Sequence, residues 1–122
     1  MSSAFGGLTS PLTHRVAVYV PGTCNVNRPA SQLQQQWTDI MLESFSTLFG
    51  GGTAVHVHGC YVSASGVPIQ EPVNLVFAYC DSAAYASGAT AVIDLARSMC
   101  RDMGQECVAI EADGVLYFVS QE

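Results

Sequence analysis

The chain has 122 residues, of which 49% are hydrophobic and 11% charged. That length supports one buried core, and that apolar content excludes a disordered chain. Ten acidic residues face four basic ones, all arginine (Arg15, Arg28, Arg97 and Arg101), for a net charge of −6. Such a balance argues against general nucleic-acid binding and against an anionic membrane surface.

Met1 to about Leu12 is rich in Ser, Gly and Thr, lacks a cationic start and an apolar stretch, and reads as a flexible tail rather than a secretory signal. Residues 13–122 then form a single domain. Arg15 to Val20 alternates, is β-branched, and stops at Pro21-Gly22, which predicts a strand. A polar loop follows from Thr23 to Pro29. Ser31 is placed to cap a helix whose apolar positions are Leu33, Trp37, Ile40, Met41, Phe45 and Leu48, ended by Gly50-Gly51-Gly52. Thr53–Val62 is a second strand, Ser63–Gln70 a hairpin loop with Ser65-Gly66 and Pro68, and Val73–Cys80 a third strand. Asp81-Ser82 caps a long helix with Tyr85, Ala89, Val92, Ile93, Ala96, Met99, Cys100 and Met103 in its stripe, closed by Gly104. Cys107–Ala112 and Val115–Val119 are strands joined by the hairpin signal Asp113-Gly114.

The order β-α-β-β-α-β-β predicts an α+β two-layer sandwich. It has a ferredoxin-like βαββαβ plan plus a C-terminal hairpin strand, and a mostly antiparallel sheet carries both helices on one face. Alternation divides each strand into two faces. Placing the bulky sets under the helices (Val73, Leu75, Phe77 and Tyr79; Val55, Val57 and Tyr61) leaves Arg15, Tyr19, His56, His58, Cys60, Cys80, Cys107 and Glu111 on the uncovered face. A chain this poor in charge, with an uncovered sheet face, is expected to form a homodimer or higher homo-oligomer.

Five cysteines, an odd number without a CxxC pair, fit a reducing cytoplasm better than a disulfide framework. No apolar run reaches membrane-span length. His56-Val57-His58-Gly59-Cys60 projects three metal-ligand types from one strand face, and Cys80 across the hairpin would complete a zinc set. Polar groups on an interface are the preferred reading of the same residues, with no cofactor expected and zinc the alternative. A Cys60 or Cys80 thiol near either histidine would also suit a nucleophile. In the loop after the first strand, Thr23, Asn25, Asn27 and Arg28 offer donors and acceptors just before a helix N-terminus, a position that suits anions and small ligands and also suits plain turn chemistry. No phosphate-binding loop, nucleophile elbow, zinc-protease or dinucleotide motif is present.

The segments VYVPGTCNVN, LFGGGTA, GCYVSASGVPIQEPVNLVFAYC and MGQECVAIEADGVLYFV resemble a group of small uncharacterised bacterial and mobile-element proteins. These share a VPxTxNVN opening, an LFGGxTA helix end and a GQExVxxExxGxLYxV close. The resemblance spans about Arg15 to Val119 and carries no known activity. It implies that Pro21, Thr23, Asn25, Asn27, Gly50 to Gly52, Gln105 and Glu106 belong to recurring motifs, which adds Gln105 and Glu106 to the candidate ligand site.

Low charge and the lack of a catalytic signature together predict a non-enzymatic cytoplasmic accessory protein. It would oligomerise and bind a small molecule or a protein partner, with no nucleic acid and no membrane involved. The alternative is a small metal- or cysteine-dependent enzyme using His56, His58 and Cys60.

Overall fold

The computed structural model describes residues 4–25 and 28–122. Ala4–Gly7 forms an exposed 3-10 turn. The ordered elements that follow are β1 (His14–Val20), β2 (Thr23–Cys24), β3 (Arg28–Pro29), α1 (Ser31–Phe49), β4 (Thr53–Val62), β5 (Pro68–Cys80), α2 (Ser82–Asp102), β6 (Cys107–Ala112) and β7 (Val115–Ser120). The main sheet has the order β4-β5-β1-β6-β7, with every neighbour antiparallel. Without β7 this is the ferredoxin-like order, so the expected α+β sandwich with an added C-terminal hairpin strand is the observed fold. Among the described residues, no helix is long and apolar enough to cross a membrane.

Local rules account for most boundaries. Gly50 ends α1 in the left-handed region and bonds Ser46 O, as a C-terminal glycine does. Asp81 caps α2 by accepting the Ala84 N–H at 2.8 Å. At the start of α1 the expectation fails: Ala30 is the N-cap, no side chain caps it, and Ser31 is the first helical residue. The hairpin loop is also shorter than its Pro and Ser content suggests. Ladder pairing runs from Thr53↔Phe77 to Val62↔Pro68, so Pro68–Pro72 is strand and the loop shrinks to residues 63–67. Proline is tolerated there because β1 ends opposite Asn74, leaving the outer part of β5 with a neighbour on one side only.

The core lies between the sheet and both helices. Val16, Val18 and Val20 of β1, Val76, Ala78 and Cys80 of β5, Val108 and Ile110 of β6 and Val119 of β7 meet Met41 and Phe45 of α1 and Val92, Ala96 and Met99 of α2. Two strands therefore face opposite to the sequence expectation. In β5 the small and polar set Asn74, Val76, Ala78 and Cys80 is buried, while Leu75, Phe77 and Tyr79 lie on the open face. The β4 residues paired with them follow, which puts Val55, Val57 and Tyr61 on the open side. The physical reason is space. Two helices already supply Met41, Phe45 and Met99, and small strand residues fit beneath them. The buried Asn74 amide is satisfied, donating to Thr38 Oγ1 at 3.0 Å and bonding the His56 ring through its oxygen.

The β6–β7 turn is pinned from outside the hairpin. Asp113, at φ 51°, accepts the Arg15 N–H at 2.8 Å and bonds His14 Nδ1 at 2.7 Å. The hydrogen bond from His14, then that from Arg15, holds its carboxyl below the usual carboxylate range. A carboxyl depressed in the fold stabilises the folded form above its ordinary value and loses that contribution as the pH falls through the depressed one. Amide protection of the Asp113-Gly114 turn is thus expected to fall below about pH 4, ahead of the core strands. Hydrogen exchange read residue by residue checks this.

Candidate functional site

Where β1 and β5 part, the chain is held by specific contacts. Gln34 of α1 donates its amide to Val20 O at 3.3 Å and Pro72 O at 3.1 Å, tying the end of β1 and the adjoining stretch of β5 to the helix. Gly22 passes so close that a Cβ there would sit 2.1 Å from Pro72 O. This approach brings Thr23 over β5, where its hydroxyl donates to Glu71 Oε2 at 2.9 Å. From the other side, Gln105 donates its amide to Thr23 O at 2.9 Å, and the Asn25 N–H bonds Met103 O at 2.8 Å. The short β2–β3 hairpin is thereby fastened to the end of α2.

These contacts frame a cleft of about 500 Å³ at one end of the open sheet face. Its walls include Tyr19, Tyr61 and Phe118, its floor includes Val73 and Ala109, and its carboxylates are Glu71 and Glu106. Neither Lys, Arg nor His lines it. Gly59 lies directly opposite Glu71 in the ladder, and a Cβ there would reach to 3.3 Å from Val73 Cγ2 on the cleft floor. Gly59→Val, which crowds Val73 and the cleft floor, is expected to lower ligand affinity by at least roughly tenfold, equivalent to about 1.4 kcal/mol, with a smaller loss of melting temperature because the residue suits a strand. Calorimetric titration with thermal melts checks both halves.

The residues singled out from sequence divide three ways. Thr23, Gln105 and Glu106 come together at this cleft, Thr23 through its bond to Glu71. Asn25 lies behind it, in the left-handed region at φ 47° beside Gly104, and Arg28 is exposed in β3 opposite Cys24. Asn27 lies outside the described residues. Glu71 and Tyr61 escaped notice as site residues. Glu71 fell between a supposed loop and a strand start, and Tyr61 was placed under the helices.

The proposed metal set does not assemble. Cys60 pairs with Gln70 and Cys80 with His14, so ten residues of β5, roughly 33 Å of strand, separate the two thiols. His56 is engaged with Asn74. Among the described residues, no group of three or more His, Cys, Asp or Glu side chains is placed to hold a metal ion. Burial pushes the Cys80 and Cys100 thiols up, which makes neither a ready nucleophile. Cys60 and Cys107 are exposed and border the cleft.

No known family model matches the chain, and neither does any curated protein. Two solved structures do. One is a phage SAM lyase in complex with S-methyl-5'-thioadenosine, 16% identical, with a TM-score of 0.63 over 93% of this chain and 96% of that one. The other is a phage SAM lyase in the apo state, 14% identical, with a TM-score of 0.60 over 95% and 98%. The chain shares their fold over nearly its whole length. This finding overturns the expectation of a non-enzymatic accessory protein. That expectation rested on missing signature motifs, and both matched structures are of a SAM lyase.

Proposed function

We propose that the chain is a lyase acting on S-adenosylmethionine, binding it in the cleft between Glu71 and the aromatic walls and releasing S-methyl-5'-thioadenosine. The observation that carries this reading is the composition of the cleft: two carboxylates, three aromatic rings and no cationic side chain. A ligand matching it bears positive charge at one end and a flat ring at the other.

Chemistry assigns the roles. S-Methyl-5'-thioadenosine keeps the methyl and adenosyl groups, so the bond broken is the one from sulfur to the amino-acid chain. Sulfur leaves with that electron pair as a neutral thioether and needs no proton. An oxygen of the substrate's own carboxylate bonds to the γ-carbon in its place and closes a lactone, so charge and atoms balance without water or a base. A carboxylate held against the sulfonium would stabilise the substrate more than the transition state, in which the charge is fading. Glu71 is therefore assigned to the ammonium group, whose charge persists, and the Thr23 hydroxyl fixes the carboxylate for that contact. Val73 and Ala109 give the sulfur apolar surroundings, which favour loss of its charge. Tyr19, Tyr61 and Phe118 stack or flank the adenine.

The open face also bears on assembly. Val55, Val57, Tyr61, Tyr79, Leu116 and Phe118 are exposed on it, Phe118 at 69%, and among the described residues Arg15–Glu111, at 3.1 Å, is its one ion pair. A second copy of the chain is the partner this largely apolar surface suits, giving a homo-oligomer with the cleft at its border.

Incubation with S-adenosylmethionine followed by chromatography tests the activity. Accumulation of S-methyl-5'-thioadenosine by the wild type above the enzyme-free rate is expected. Its absence, together with no calorimetric binding of substrate or product, would sink the reading.

A further inference from the structure

The end of the sheet remote from the cleft carries a second cluster of reactive groups, independent of the lyase reading. His14 opens β1 on the helix side of the sheet, beneath the start of α2. Its Nε2 lies 3.1 Å from Ser82 Oγ, and its Nδ1 lies 2.7 Å from Asp113 Oδ2. Tyr85 stacks on the imidazole, with ring centroids 4.3 Å apart and planes 16° from parallel. Asp113 accepts the Arg15 N–H as well, at 2.8 Å. We infer that Ser82, His14 and Asp113 form a serine-hydrolase triad acting on small esters with an apolar acyl or alcohol group.

The hydrogen bonds fix the protonation pattern such a site requires. Asp113 is held as a carboxylate, which accepts only, so His14 Nδ1 carries the ring proton and Nε2 presents its lone pair to the Ser82 hydroxyl. Stacking by Tyr85 keeps the ring in that plane. Ser82 is the first residue of α2, immediately after β5 and its Asp81 cap. Asp81 takes the Ala84 and Tyr85 N–H groups, which leaves those of Ser82 and Ala83 in the first turn of the helix as the donors for a developing oxyanion. The cluster faces away from the open sheet surface, so assembly through that surface leaves it accessible.

A largely apolar cleft of about 570 Å³ adjoins the triad through Tyr85, continuing along Ala89, Val92 and Ile93. It gives an ester's hydrocarbon part a place to lie. In the reaction, Ser82 Oγ bonds to the carbonyl carbon as its proton passes to His14 Nε2. The ester C–O bond then breaks with its electron pair on the leaving oxygen, which takes that proton from His14. Water, deprotonated by the same nitrogen, attacks the acyl-serine and regenerates Ser82.

The test uses the full chain with p-nitrophenyl butyrate and a fluorophosphonate probe, alongside Ser82→Ala and Asp113→Asn. The expected result is a p-nitrophenolate burst, probe attached to Ser82 by peptide mapping, and a loss of hydrolysis of about a hundredfold or more in both variants. The Ser82 side chain is exposed, so Ser82→Ala keeps the fold, which circular dichroism verifies. An unlabelled wild type, or hydrolysis by Ser82→Ala equal to wild type, overturns the assignment.

Discussion

Glu71→Gln is expected to lower affinity for S-adenosylmethionine roughly thirtyfold to a thousandfold while leaving affinity for S-methyl-5'-thioadenosine unchanged. The glutamine keeps an oxygen to accept the Thr23 hydroxyl, so the local frame survives and only the charge is lost. Opposite charges about 4 Å apart at an effective dielectric near 20 attract by about 4 kcal/mol. Solvent reaching a half-buried carboxylate in an open cleft reduces that, and about 2–4 kcal/mol corresponds to the stated range. The product carries no ammonium group, so its binding, through the aromatic walls, does not depend on Glu71. Glu106 is exposed, and the same change there is expected to cost under about 1 kcal/mol because water screens it. Parallel calorimetric titrations of substrate and product against both variants decide this. Equal loss of both ligands would mean that Glu71 shapes the cleft rather than contacting the ammonium.

The architecture was legible because the signals behind it are local. Alternating strands, Gly50 after α1, the Asp81 cap and the Asp113-Gly114 turn each act within a few residues, and their order allows few topologies. The faces of β4 and β5 were not legible, because both faces of β5 are apolar. Asn74 gave the wrong cue. A buried asparagine reads as a surface residue until Thr38 and His56 are known to satisfy it. That single inversion moved Tyr61 into the core and His56, His58 and Cys60 onto the open face. The cleft was half legible. Thr23, Gln105 and Glu106 stood out through recurring motifs, whereas Glu71 sits between Gln70 and Pro72, where proline suggests a loop. Only the ladder that carries β5 back to Pro68 places it opposite Gly59. The pairing of Ser82, His14 and Asp113 spans 99 residues between its two most distant members and leaves no trace in spacing.

Leu75→Arg is expected to convert the proposed oligomer to monomer without unfolding it. Leu75 occupies the open face near the middle of the sheet, between Val55 of β4 and Tyr19 of β1 in the ladder. In an isolated chain that face meets water, so an arginine there leaves its guanidinium solvated and its stem lying on the sheet. The core under α1 and α2 is untouched, since Val76 and not Leu75 packs against it. In an assembly closed through the middle of this face, each copy would bury the new charge away from a free carboxylate: Glu111 is already engaged by Arg15, and Glu71 and Glu106 lie at the cleft end, Glu71 four residues along β5 from Leu75. An unpaired charge in an interface costs several kcal/mol, and symmetry repeats the cost in every copy. A loss of about 4 kcal/mol is roughly a thousandfold in dissociation constant, enough to take a micromolar assembly to monomer at ordinary concentrations. Native mass spectrometry on both proteins reads the outcome directly, with circular dichroism confirming the fold. A variant that retains the wild-type mass would place the interface elsewhere, with the sheet edge at β4 or β7 the remaining surface to test. Activity of the monomer then carries separate information. If S-methyl-5'-thioadenosine formation falls with assembly while Glu71 and the cleft walls are intact, the second copy contributes to the site; if it persists, the cleft of one chain suffices.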